Sequence, residues 1–345
     1  MIAAREPVQR PADAKLLAID SRGAMRHWPR ERFIALLRPG DLVVANDALT
    51  LPASLQGVHA RTGERIEVRL AQRRSLDPED VHDFVAVVFG DGDYHTRTED
   101  RAPPPALRAG DALALGPLRA TVERLLGHPR LAALHFDGTT QAIWSALATH
   151  GRPIQYAYMQ PALELWDVWT PIAGAPAAFE PPSAGFALDW HALTQLRERG
   201  VEFATITHAA GISSTGDAAL DRLLPLDEPY RIPASTAEAV RRTREHGGRV
   251  IAVGTTVVRA LESAATDDGV VCAGPGTATE RVGPDTRLRV VDAILSGAHE
   301  PGTSHYELLG AFADARTLRA ADRELDQHGY RTHEFGDSML IERRR

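Results

Sequence analysis

The run GGRVIAVGTTVVRALESA, residues 247–264, sets three small residues, Gly254, Thr255 and Thr256, between an apolar stretch and a helix-like one. Small side chains at such a turn let a ligand approach the backbone, and the free N–H groups of a helix start attract anionic groups. Arg259 and Glu262 stand three apart on one helix face, as a surface ion pair or as ligand contacts. Asn46 and Asp47 occupy a polar turn between apolar runs, as turn caps or as site groups. His299 lies in a loop bounded by Gly297 and Pro301; it is either a solvent-facing side chain or a proton shuttle, a role its near-neutral titration suits. Asp337, in the turn Gly336-Asp337-Ser338-Met339, caps that turn or meets a ligand. Trp166 and Trp169, in LWDVWTP, either fill an interface or offer indole faces to a purine.

These residues need elements to hold them. Residues 1–15 read as an extended arm and 30–37 as a short helix. DLVVANDALTLPASLQG (41–57) reads as strand, polar turn and strand, and ERIEVRL (64–70) alternates as a half-buried strand does. Short strands follow at 84–89, 112–115, 118–126 and 131–136, separated by turn residues such as Gly90-Asp91-Gly92-Asp93, which predicts a small antiparallel barrel or sandwich. Beyond residue 150 the rhythm becomes helix and strand in alternation: helix 186–200, strand 201–207, helix 233–248, strand 249–256 and helix 257–265. The Ser235-Thr236-Ala237-Glu238 pattern predicts a capping box for the third of these. The expected fold class is therefore α/β plus all-β, with a layered α/β domain from residues 1–59 and 151–345 and an inserted small antiparallel β-barrel domain over residues 60–150.

Composition narrows the function. The 345 residues suit two domains, and no apolar run is long enough to span a membrane. The opening residues contain no apolar core of the signal-sequence kind, so a cytoplasmic location is expected. Cys272 is the only cysteine, which excludes an intrachain disulfide and a cysteine-based zinc site. Lys15 is the only lysine, so any Schiff-base chemistry would fall to it. The net charge of −7 weighs against a large nucleic-acid footprint.

The run 247–264 closely resembles GGRVIAVGTTSVRTLESA of the S-adenosylmethionine:tRNA ribosyltransferase-isomerase family. RPGDLVVANDALTLPASLQG (38–57), EPPSAGFAL (180–188), YRIPASTAEAV (230–240), VVDAILSGAHEPGTSHYELLGAF (290–312) and YRTHEFGDSMLI (330–341) are similar, in order and spacing, to further motifs of that family. The resemblance covers the chain from about residue 38 to the C-terminus. It implies that AdoMet is consumed as a ribosyl donor, without a metal, and that the acceptor is a 7-aminomethyl-7-deazaguanine in tRNA. Adenine and methionine leave, and the ribose rearranges. A sulfonium acidifies the neighbouring C5′–H, so a general base there starts the reaction. Carried onto this chain, the motifs give His299, Asp47 and Glu228 as catalytic candidates. Asn46, Ser183, Gly185, Gly254, Thr255, Thr256, Arg259 and Asp337 are the binding candidates.

The departures from the family pattern fall on polar positions. Leu49 and Ser54 stand where it has arginines, Gly302 replaces a lysine, and Ala187 and Leu226 replace histidines; Thr207 occupies a third histidine position, with His208 one residue later. The lost cations are groups that a phosphate-rich partner engages. Three functions are compatible with this pattern: the divergent tRNA enzyme, an AdoMet-dependent transferase or lyase acting on a small molecule, and a non-catalytic ligand-binding paralogue. The oligomeric state is open.

Overall fold

The computed structural model describes residues 1–344. Among these, nine strands form one sheet in the order Gly274–Ala278, Glu228–Ile232, Glu202–His208, Leu42–Asn46, Val250–Val253, Ala293–Gly297, Ser338–Glu342, Lys15–Ile19 and Met25–Pro29. The four central strands, from Glu202–His208 to Ala293–Gly297, run parallel. They are apolar on both faces because helices cover both. Leu42, Val44, Val250 and Ala252 pack with the helices Ala234–Glu245, Thr255–Ser263 and Ala315–Gln327. Val43, Ala45, Ile251 and Val253 pack on the opposite side with Phe33, Ile34, Leu188 and Leu196. This period-two division of a continuous apolar run is what a parallel sheet between two helical layers requires.

Six antiparallel strands close a barrel, in the order Leu118–Leu125, Leu131–Phe136, Asp83–Phe89, Arg65–Arg73, Ser54–His59 and Ala112–Leu115. Its core holds Leu55, Val68, Ala86, Val88, Leu113, Val122 and Leu134. Gly57 belongs to the seam: a Cβ there would lie 2.2 Å from the Ala114 carbonyl oxygen. The architecture is thus mixed α/β with a closed antiparallel barrel.

Several elements differ from the sequence reading. Residues 140–150 form a helix, Thr140–His150, whose N-cap Thr139 accepts from the Ala142 amide at 3.2 Å. Its Ile143, Ala146 and Leu147 bury against the barrel, a contact that its weak local periodicity did not announce. The segment 30–37 is a 3-10 helix over Arg30–Leu36. The helix read over 186–200 is confined to Trp190–Glu198, because Asp189 caps it by accepting from the Ala192 amide at 2.7 Å. The helix Ala234–Glu245 starts at Pro233 without a side-chain cap, and Glu238 pairs with Arg241 rather than closing a capping box. The arm is partly paired: Ile2–Ala3 runs parallel to Arg331–Thr332.

Candidate active site

Strands Leu42–Asn46, Val250–Val253 and Ala293–Gly297 are parallel, so their C-terminal ends open on one side of the sheet, where ligands bind in open α/β sheets. Gly254 leaves its strand at φ +94°, ψ 158°, a conformation open essentially to glycine alone, and the helix Thr255–Ser263 begins immediately. No side chain caps that helix start. The cleft beside it encloses about 900 Å³ of space continuous with solvent, and its walls include Ser183, Gly254, Thr255, Thr256, Glu228 and Arg259. Glu180, Ser213, Arg281, His299 and His305 also line it.

Its electrostatic centre is a buried pair. Arg259 donates to Glu228 Oε2, and a second guanidinium nitrogen donates to the Ala278 carbonyl at 3.0 Å. Burial lowers Arg259 to about 10, which leaves it charged at neutral pH. The other Glu228 oxygen accepts from the Gly211 amide at 2.7 Å, which ties the 209–213 loop to the strand Glu228–Ile232. His208 lies fully buried with its Nε2 3.5 Å from Glu228 Oε2. Burial, then the Arg259 charge, hold His208 well below the usual imidazole range, so it is neutral.

Two further histidines of the cleft wall, His299 and His305, meet with ring centres 4.8 Å apart. His299 Nε2 lies 2.9 Å from Ser296 Oγ. Burial, then His305 and His333, lower the His299 pKa well below its ordinary value. Burial and Arg259 bring His305 down to about 4. Both rings are therefore neutral at pH 7.

The candidates split in two. Ser183, Gly254, Thr255, Thr256, Arg259, Glu228 and His299 come together in the cleft from four separate stretches of chain. Asn46, Asp47, Gly185 and Asp337 lie outside its walls. Asn46 is buried: its Nδ2 donates to the His208 carbonyl at 3.0 Å and its Oδ1 accepts from the Ala48 and His208 amides at 3.0 and 2.9 Å. It also reaches Thr256 Oγ1 at 3.3 Å, so it braces the turn below the ligand side. Asp47 accepts from Thr207 Oγ1 at 2.6 Å. Gly185 faces Thr170, whose Cγ2 would be 3.1 Å from an added Cβ. Asp337 accepts from the Lys15 and Arg331 amides at 2.8 and 2.7 Å, joining an outer strand to the C-terminal turn.

Arg259 and Glu262 do not pair. Glu262 accepts from the amides of Arg289, Val290 and Val291 at 2.7, 3.0 and 2.9 Å, while Arg259 turns towards Glu228. Neither tryptophan candidate lines the cleft. Trp166 is exposed, and Trp169 donates from Nε1 to the Thr50 carbonyl at 3.0 Å.

The pattern of the queuosine biosynthesis protein family matches residues 1–341. A protein of Gloeobacter violaceus named S-adenosylmethionine:tRNA ribosyltransferase-isomerase is 33% identical over 98% of this chain and 92% of its own length. One of the same name from Pelobacter propionicus is 33% identical over 98% and 96%. The chain belongs to the queuosine biosynthesis protein family. The crystal structure of S-adenosylmethionine tRNA ribosyltransferase from Thermotoga maritima shares the fold, with a TM-score of 0.51 at 23% identity over 99% of this chain and 96% of that one.

Set against the motifs of this queuosine biosynthesis family, the departures have structural partners. Ser54, at an arginine position, donates to Glu67 at 2.7 Å, and Glu67 also binds Arg69 at 2.7 Å and Arg101, so the barrel retains buried guanidinium groups there. Leu226, at a histidine position, offers its carbonyl to Arg259 at 3.4 Å. Two cleft residues escaped the sequence reading. Glu180 stands at an alanine position of the family motif and His305 in a run read only as framework. Their one signal was a titratable residue inside a matching motif. Groups of three metal-ligating side chains within 4.8 Å of one another occur at His27, Glu324 and His328 and at Asp83, Glu123 and His135, both outside the cleft.

Proposed function

We propose that this protein transfers and isomerises the ribosyl group of AdoMet onto a 7-aminomethyl-7-deazaguanine in tRNA, releasing adenine and methionine. The observation that carries the reading is the cleft itself. It gathers the glycine-threonine helix start, the Glu228–Arg259 pair and a neutral histidine, in a chain that matches enzymes of this name almost end to end.

The groups suit the substrate. An uncapped helix start receives a carboxylate such as that of the methionine part of AdoMet. We assign to His299, neutral and hydrogen-bonded to Ser296, the removal of the proton that the sulfonium acidifies. Glu228 has both oxygens committed, to Gly211 and Arg259, so we assign it to holding Arg259 and the 209–213 loop rather than to proton transfer. Asn46 braces the turn from behind, and Asp47 accepts from Thr207 beside it. We place the protein in the cytoplasm; among the described residues no helix is long and apolar enough to cross a membrane. We also propose that residues 1–59 and 151–345 form the AdoMet-binding domain and 60–150 an inserted barrel. The pairing of Leu42–Asn46 with strands of the later half supports this, and the barrel strand Ser54–His59 moves the junction a few residues earlier.

The test is direct. The protein is incubated with AdoMet, with and without tRNA carrying the aminomethyl base, and free adenine and methionine are measured. RNA-dependent release of both is expected. Release that is independent of RNA, or none, would overturn the assignment.

A further inference from the structure

Glu180 is a buried carboxyl group on the wall of the cleft and has no role in holding the fold's charges together. It is only 7% exposed, and among the described residues it has no ion-pair partner. The nearby cation, Arg69, is committed to Glu67. Its oxygen Oε1 accepts from the Tyr156 hydroxyl. A second pair of the same kind lies alongside: Tyr158 donates to Glu334, and the two tyrosine rings stack with centres 5.9 Å apart. Glu180 borders both the main cleft and a smaller cavity lined by Tyr156, Tyr158 and Glu334. An unpaired carboxylate in such a place costs several kcal/mol unless it is protonated or a cation completes it. Without a ligand the carboxyl is relieved by protonation and by its hydrogen bonds; a bound cation would relieve it in the ionised form, and the acceptor amine of the proposed reaction is one.

We infer that Glu180 is the group that receives the acceptor's ammonium and takes one proton from it. The inference rests on the reading of the cleft as a ribosyl-transfer site. The proton leaves nitrogen for a Glu180 oxygen, and the freed lone pair forms the new bond to the ribosyl carbon. The bond from that carbon to adenine breaks, its electron pair leaves with adenine, and the proton held by Glu180 passes to the departing purine. Charge and atoms balance: one ammonium and one N-glycoside become one secondary ammonium and neutral adenine.

The environment supports the role. Burial, then the negative charge of Glu334, push the Glu180 carboxyl up to about 7, where a general base works best at neutral pH. The groups that face it are Glu334 from the C-terminal turn, which raises it, and Tyr156 from the 153–158 loop and the side chain and backbone of Ser213 from the 209–213 loop, which hydrogen-bond it and lower it; Tyr158 and Arg69 lie beside it. The Glu228–Arg259 pair lines the same cleft and is already neutralised within itself.

The experiment measures kcat/KM for adenine release from AdoMet with a stem-loop bearing the aminomethyl base, from pH 5 to 10, alongside calorimetric binding of AdoMet. The wild type should lose activity as pH falls through about 7. E180Q should bind AdoMet as the wild type does but lose roughly 10²–10⁴-fold in kcat/KM at neutral pH. It should recover as pH rises and the ammonium loses its proton unaided. E334Q, which removes the neighbouring charge, should move the acid limb to lower pH, and this variant does not depend on E180Q folding. An E180Q profile that overlays the wild type, or an unmoved limb in E334Q, overturns the inference alone. A wild type that releases no adenine overturns the underlying reading and the inference with it.

Discussion

At the scale of single residues, Arg259 and Glu228 illustrate how costly the site is to disturb. Both are buried, and each is the other's counter-charge. Breaking a buried pair from one side leaves an uncompensated charge and costs about 3–5 kcal/mol. R259M should therefore lower the unfolding free energy by about that amount in urea titrations, and the double variant E228Q/R259M should regain much of it without regaining AdoMet binding. His208 adds a pH dependence. Its folded pKa is depressed by burial, so its contribution is fully present above the unfolded value of about 6.5 and is lost as pH falls below it. The limiting slope is about 1.4 kcal/mol per pH unit. Glu180, raised to about 7, acts with the opposite sign between its folded value and the ordinary carboxyl range, because the folded state holds that proton more firmly. His299 and His305, held below their ordinary range in the same way, act with the sign of His208, so unfolding curves from pH 7 to 5 should show a loss in the wild type, a smaller one in H208Q and a larger one in E180Q.

Elements place those residues, and the turn from Val253 into Thr255 is the most exacting of them. Gly254 at φ +94° has ordinary room for a Cβ, with Ala184 3.6 Å away, so its constraint is backbone conformation rather than space. G254A should cost about 1–3 kcal/mol of stability and weaken AdoMet binding through a displaced helix start, as read by calorimetry. Gly211 is constrained differently. A Cβ there would lie 2.6 Å from the Ala71 carbonyl oxygen of a barrel strand and 3.2 Å from Glu228 Oε1. This glycine is where the cleft loop closes against the barrel, so G211A should move the loop that carries Ser213 and reduce kcat/KM more than it reduces thermal stability.

For the whole molecule the governing quantity is charge. The net charge is −7, and several arginines are spent on internal pairs: Arg241 with Glu238 and Glu245, Arg242 with Glu202, and Arg249 with Asp41 and Glu342. Arg281 at the cleft and Arg152 and Arg231 elsewhere remain exposed. With a net charge of −7, few counterions are expected to be released from a phosphate backbone. Filter binding of an unmodified anticodon stem-loop should give a dissociation constant of roughly 10⁻⁴–10⁻⁶ M at physiological salt. Between 50 and 200 mM salt, the slope of log affinity against log salt should correspond to no more than about three phosphate contacts at ~0.7 each. R281A should lower affinity for any stem-loop sequence by a similar factor and flatten the slope. Sub-micromolar binding with a steep salt dependence would contradict this expectation.

The rhythm of the chain was legible along its length: short alternating strands that close a barrel, and buried strands that alternate with helices. Those features depend on side-chain period and on turn residues, which are local. The motif runs also identified the cleft's small residues, because a glycine-threonine turn before a helix is a local backbone requirement. Partners were decided only in three dimensions. Arg259 had Glu262 three residues away on its own helix, yet its partner is Glu228, 31 residues distant, because sheet order brings that strand beneath the helix. Asn46 and Asp337 read as turn caps or as ligand groups, and each bonds backbone groups that arrive from strands far apart in the chain. Glu180 reads as an ordinary acidic residue in a loop. What gives it chemistry is the removal of water by the packed loop and barrel and the charge of Glu334, set beside it by the C-terminal turn. Burial and long-range neighbours set the energy of a charge, and neither is written in the residues next to it.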